Sequence, residues 1–256
     1  MLALVALVAL DLASVRLPSI AALEQAVSKG DSVETERVAR RLGAARLMRT
    51  AESGTARARL AALEALPLVD DLAPSLPRLV TLALRGDDKL VDAAARATRR
   101  AAERLTRERG VDEEWPPDVP RAAAQSIVNG LAQSTRASVR VELLRAAMAL
   151  GTWAPLDDQV LVACARDASP LLRAAAIETC AAQPSLRAIV LAAIDDPDKQ
   201  VAITAAVLAC RAPLDDTARA RVRELATATR DPALGSCLTS FATPEDRKLV
   251  KALRKK

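Results

Sequence analysis

The chain has 256 residues, of which 51% are hydrophobic and 27% charged, enough for a continuous core and a solvated surface. It has no His, no Tyr, one Phe and two Trp. Without imidazole there is no Ser-His-Asp or Cys-His arrangement and no His-ligated metal, so the expectation is a non-enzymatic protein with no cofactor and no metal, although catalysis by Asp, Glu, Lys or Cys stays open in principle. Ala, Leu and Arg dominate. All three are strong helix formers, and the aromatic residues that favour strands are nearly absent, so the fold class is all-α. The net charge of +5 is unevenly spread. Residues 1–128 are close to balanced, whereas the last ten carry Arg247, Lys248, Lys251, Arg254, Lys255 and Lys256 with no acid, a basic end that is either solvated or touches an anionic partner.

Residues 1–10 are wholly apolar before Asp11 interrupts them. Ten residues cannot span a bilayer, which needs about 20. Two readings stand for residues 1–17. One is the h-region of a secretory signal, without a basic n-region or a small-residue cleavage site, which would mean export; the other is a buried helix over 2–17 ended by Pro18. From there the apolar spacing predicts helices over 19–29, 33–43, 45–52, 56–66, 75–85 and 88–108. The last has an apolar stripe of Val91, Ala94, Ala95, Thr98, Ala101, Ala102 and Leu105. Its opposite face carries Arg96, Arg99, Arg100, Glu103, Arg104 and Arg107.

Residues 110–120, rich in Pro and acid and carrying Trp115, read as a loop inserted into the pattern. Beyond it, 138–151 is helical in pattern, and a ladder of prolines follows: Pro155, Pro184, Pro213 and Pro244, separated by 29, 29 and 31 residues. A second turn divides each interval, at Asp167–Pro170, Asp195–Asp198 and Arg230–Pro232. The predicted pairs are 156–166 with 170–182, 185–194 with 198–211, and 214–229 with 232–242, closed by 244–254. Ala154-Pro155-Leu156-Asp157-Asp158 recurs as Ala212-Pro213-Leu214-Asp215-Asp216. No loop with further oxygen ligands accompanies these aspartate pairs, so they read as helix caps rather than as a catalytic pair or a calcium site. Cys164, Cys180, Cys210 and Cys237 lack metal-site spacing and sit in apolar helical contexts. At a ~1.5 Å rise per residue, Cys164 and Cys180 are offset by roughly 10 Å, and only Cys180 and Cys210 fall at similar heights. The expectation is four buried thiols and no disulfide.

A unit of about 30 residues with two helices is the mark of an α-solenoid. Asp167, Pro170, Arg173 and Ala176, in the pattern Asp-x-x-Pro-x-x-Arg-x-x-Ala before a small-residue helix, resemble the HEAT repeat of the short bacterial, PBS-lyase HEAT-like type. Val139-Arg140 and Asp196-Pro197 with Val201 match in part. With Arg59, Asp92, Arg140, Arg173, Ala202 and Gly235 taken as equivalent, the spacings are 33, 48, 33, 29 and 33, and removing the 110–120 insertion brings the outlier near the others. The resemblance implies a right-handed α-solenoid of about seven helix pairs over residues 18–256. A boundary between two domains at 110–120 is the alternative. The recurrence of Arg173 at Arg140 and Arg59 implies a repeat-structural arginine that holds turn to helix.

Such repeats serve scaffolds, adaptors and a few enzymes, so the resemblance speaks to fold more than to function. Nothing suggests the aromatic-lined pocket of a bilin lyase. Trp115 and Trp153 lie outside the helix faces and lack the constellation of the HEAT-like DNA glycosylases. The expected function is a protein–protein interaction scaffold whose second helices line the binding face. Its candidate partner-binding residues are Arg96, Arg99, Arg100, Arg104, Arg107 and Trp115, suited to an acidic peptide through guanidinium forks. The alternatives are a solvated face paired internally with Glu103 and Glu108, and a nucleic-acid-binding or DNA-repair protein using the same arginines and the basic tail. Arg37, Arg40, Arg41, Arg46 and Arg49 either extend this stripe or are surface usage.

Overall fold

Many of the helices start where a side-chain oxygen meets their first free N–H groups. A computed structural model describes residues 19–107, 118–151, 156–239 and 243–253, and among them there are fifteen α-helices, four short 3-10 turns and no strand. The protein is all-α, as its composition predicts. Backbone contacts group the described residues into two units.

The first unit runs to Ser134 and holds α1 (Ile20–Lys29), α2 (Ser32–Leu42), α3 (Ala44–Ser53), α4 (Ala56–Ala65), α5 (Leu76–Arg85), α6 (Asp88–Arg107) and α7 (Asp118–Gln133). Here α1 packs on α2 and α4, α3 on α4, α4 on α6, and α5 on both α6 and α7. Ser19, Asp31, Thr55 and Asp87 accept from the N–H groups of Ala22, Glu34, Ala58 and Leu90 at 2.9–3.3 Å, satisfying donors that the helix leaves open. Gly30 closes α1 at φ 67°, a left-handed position that costs glycine little.

The second unit takes in Thr135–Gly151 and the described residues from 156 onward. It comprises α8 (Ala137–Leu150), α9 (Asp158–Ala165), α10 (Pro170–Cys180), α11 (Arg187–Ala192), α12 (Lys199–Ala209), α13 (Asp216–Thr229), α14 (Pro232–Thr239) and α15 (Pro244–Leu253). Helices α9 and α10, α11 and α12, and α13 and α14 pack as pairs, while α8, α10, α12 and α14 form a row in which each packs on the next. Small side chains allow that approach: Ala175 and Ala176 on α10 and Ala202, Ala205, Ala206 and Ala209 on α12 are buried, interleaved with Leu172, Ile177, Val201 and Ile203. The paired aspartates are caps, Asp157 accepting from Gln159 N–H at 2.8 Å and Asp215 from Ala218 N–H at 2.7 Å. Pro170, Pro232 and Pro244 each occupy the first position of a helix, where the missing N–H costs nothing.

The structure departs from the predicted elements in three places. Helix α7 begins at Asp118, inside the segment read as a loop, and Pro120 falls in its first turn, where proline is tolerated. Its buried Ala123, Ala124, Ile127 and Leu131 have helical spacing that the sequence already carried. The expected helix over 185–194 is α11 of six residues between the 3-10 turns Pro184–Leu186 and Ala193–Asp195. Pro197 disfavours helix at Asp196, so the chain tightens and leaves the helix before it. Finally, Cys210 and Cys237 form a disulfide with Cα atoms 5.6 Å apart, which corrects the expectation of four thiols. The repeat register that set Ala202 beside Gly235 puts Cys237 beside Thr204, six residues short of Cys210. Helix α14 is shifted along α12 relative to that register. Cys164 and Cys180 are free and buried, and burial raises both thiols, Cys180 to about 11.

No helix among the described residues is long and apolar enough to cross a membrane. The apolar segment 1–17, most of the 110–120 segment with Trp115, Trp153, and tail residues 254–256 lie outside the described residues.

Candidate functional site

Helix α6 forms over almost the predicted span, with Val91, Ala94, Ala95, Thr98, Ala101 and Ala102 buried, so its arginines fall on the opposite side. Packing then uses most of them inside the protein. Arg99 pairs with Glu103 at 2.6 Å, and Arg107 lies 3.6 Å from the same carboxylate. Arg100 reaches across to Glu64 of α4 at 2.7 Å. Arg104 is 14% exposed; its Nη1 donates to the Pro67 carbonyl at 2.9 Å and its Nη2 to Asp70 at 3.1 Å. These last two arginines clamp α6 to α4 and to the turn after it. Arg96 is exposed and has no ion pair among the described residues. On α2, Arg37 and Arg40 pair with Glu34 and Glu36, while Arg41 and, on α3, Arg46 and Arg49 are exposed and have no ion pair among the described residues. The sequence showed the arginines, but Glu64 and Asp70 come from another helix and its turn, and no local signal marks them.

In the second unit the arginines form a ladder. Arg173 on α10 donates through Nη1 to the carbonyls of Asp167 and Ala168, at 2.9 and 3.1 Å, which is the turn-to-helix role its recurrence implied. Its Nε and Nη2 also donate to both carboxylate oxygens of Asp196, in the turn before α12, at 2.8 and 2.7 Å. The hydrogen bond from Arg173 holds Asp196 below the usual carboxylate range. One step earlier, Arg140 on α8 donates through Nη1 to Asp167, whose carboxyl is lowered chiefly by the Ser169 N–H and further by Arg140. Elsewhere in the unit, Arg219 and Arg223 on α13 meet the fully buried Asp246 of α15 at 2.8 and 2.6 Å. In the first unit, among the described residues, Arg59 makes the backward bond alone, to the Ala51 carbonyl at 2.9 Å.

Between these clamps the row of α8, α10 and α12 leaves a strip of open or half-open side chains, among them Arg145, Leu171, Ala174, Glu178, Thr204 and Val207. Arg145 and Glu178 approach to 3.7 Å from adjacent helices. Among the described residues no three His, Cys, Asp or Glu side chains come together in a way that could hold a metal ion. Comparison with protein-family models, with curated proteins and with solved structures finds no match for this chain.

Proposed function

We propose that the chain is a non-enzymatic protein-interaction scaffold built of HEAT-like helix pairs stacked as a right-handed α-solenoid, with the second helices offering the binding face. The observation that carries this reading is the row α8, α10, α12 and α14, with the successive turns entering α10 and α12 tied down by Arg140–Asp167 and Arg173–Asp196. A repeated clamp of this kind sets the spacing of one helix pair on the next and leaves the helix faces between clamps free for a partner. The partner is a protein with an acidic segment, met by the arginines that packing does not use. Arg96 is the first of these, with Arg41, Arg46 and Arg49 adding positive charge to the same unit.

The test separates binding arginines from structural ones. Affinity capture with the wild-type protein is compared with Arg96→Glu and Arg46→Glu, and binding of an oligoglutamate peptide is measured for each. The reading expects loss of the captured partner and at least about tenfold weaker peptide binding at unchanged helicity. An identical partner set and unchanged peptide affinity would sink it. So would a gel shift on duplex or single-stranded DNA that persists at moderate salt, because incidental phosphate contacts weaken steeply with salt and only a dedicated nucleic-acid surface survives it.

A further inference from the structure

The second unit contains a cavity of about 300 Å³ at the C-terminal ends of α10 and α12, at the small end of ligand-sized pockets (about 300–1,000 Å³). Its apolar wall includes Cys180, Pro184, Val190, Leu208 and Ala209; the charged side chains on its lining are Arg187 and Arg211, and no carboxylate lines it. Elsewhere in the unit Arg140, Arg145, Arg173, Arg219, Arg221 and Arg223 each have an acidic partner, whereas Arg187 and Arg211, like Arg166 and Arg230, have no ion pair among the described residues.

Arg187 is fixed in place without being neutralised. Its Nη2 donates to the Pro213 carbonyl at 2.7 Å and approaches that of Ala212 at 3.5 Å, so the following turn anchors one end of the guanidinium. Arg211 is exposed and has no ion pair among the described residues. The two helix ends explain why cations are tolerated here, but each supplies only about half a negative charge against two full positive ones. Asp158 is close enough for its charge to act on the Cys180 thiol, yet it does not line the cavity. An excess of about one positive charge therefore borders an apolar hollow.

We propose that this cavity binds a carboxylate carried on a compact apolar body, the carboxylate meeting Arg187 and Arg211 and the apolar body lying against Val190, Leu208 and Ala209. That chemistry has two sources, a free aliphatic acid or the C-terminal residue of a peptide. The inference does not depend on the solenoid reading, since it rests on the lining of one cavity.

The experiment uses the full chain, isotope-labelled, titrated with four probes: 4-methylpentanoate, its primary amide, N-acetyl-Ala-Leu with a free C-terminus, and the same peptide amidated. At least one acid is expected to bind with a Kd of about 1 mM and to shift the amide signals of Val190, Leu208 and Ala209, with its amide counterpart about tenfold weaker or worse. Arg211→Gln, on an exposed residue that anchors nothing, is expected to weaken that acid about tenfold while leaving the circular dichroism unchanged. Saturation by the free acid alone makes the ligand a small molecule, and saturation by the peptide acid makes it a chain terminus; either supports the proposal. No shift at these residues at ~10 mM of either acid, equal binding of acid and amide, or an unchanged affinity in Arg211→Gln overturns it.

Discussion

Asp246 is a buried carboxylate on which two arginines converge. Its side chain is fully buried, accepts from Arg219 Nη1 at 2.8 Å, Arg223 Nε at 2.6 Å and the Thr243 N–H at 2.8 Å, and joins α13 to α15. Burial alone would raise its pKa, but the bonds from Arg223, Thr243 and Arg219 outweigh it and hold the carboxyl at about 2, against an ordinary 3.8. At ~1.36 kcal/mol for each tenfold change in proton affinity, that difference is about 2–3 kcal/mol. The folded-state value is the lower one, so this stabilisation is fully present above pH ~4 and is lost as pH falls from ~4 to ~2. Asp246→Asn keeps the shape but leaves Arg219 and Arg223 facing no carboxylate in the buried position. The expected cost at pH 7 is about 3 kcal/mol, or roughly 6–12 °C in Tm. Urea titrations followed at 222 nm, on wild type and variant at pH 7, 4 and 2.5, read both quantities. The variant should lose stability at pH 7 and lose less than wild type on acidification. A variant within ~0.5 kcal/mol of wild type at pH 7, or one with the wild-type loss between pH 4 and 2.5, would refute the reasoning.

The ladder arginines should respond differently to lysine. Arg173→Lys breaks a bidentate pair with Asp196 and two carbonyl bonds, for an expected loss of about 2 kcal/mol, whereas Arg140→Lys should cost under ~1 kcal/mol because the Arg140 Nε is already buried without a partner. Equal urea midpoints for the two variants would remove the distinction. Reduction of Cys210–Cys237, which closes 27 positions of chain, should cost roughly 3–4 kcal/mol in the second unit; alkylation in denaturant without reductant should modify only Cys164 and Cys180, and in the folded protein their burial should make that reaction slow. Four alkylated cysteines in unreduced protein would exclude the bridge. Arg230 closes α13 in the left-handed conformation at φ 54°, so Arg230→Gly should stabilise by about 1 kcal/mol, and a lower Tm would show that its side chain contributes more than its backbone costs.

The helices were legible because their signals are local. Asp157, Asp198 and Asp215 each announce a helix start within three residues, and prolines mark where the chain can enter a helix. The role of Arg173 toward its own turn was also legible, since the turn lies only five and six residues away. The same side chain's grip on Asp196 was not, because it spans 23 residues and depends on how one helix pair settles on the next. The α6 arginines show the same limit. Their spacing predicted one face, and packing then used Arg100 and Arg104 to hold α6 against Glu64, Pro67 and Asp70.

By itself, then, the sequence determined the all-helical class, the approximate span of most helices other than α7, and the aspartate caps at Asp157 and Asp215, all of which follow from residues within one or two turns of each other. Only the tertiary structure decided which arginines are neutralised, that Cys210 meets Cys237, and that Arg187 and Arg211 share a cavity with no carboxylate on its lining. Those outcomes depend on how far one helix slides along its neighbour. Small-residue interfaces such as the alanines of α10 and α12 allow that movement without announcing it in the sequence.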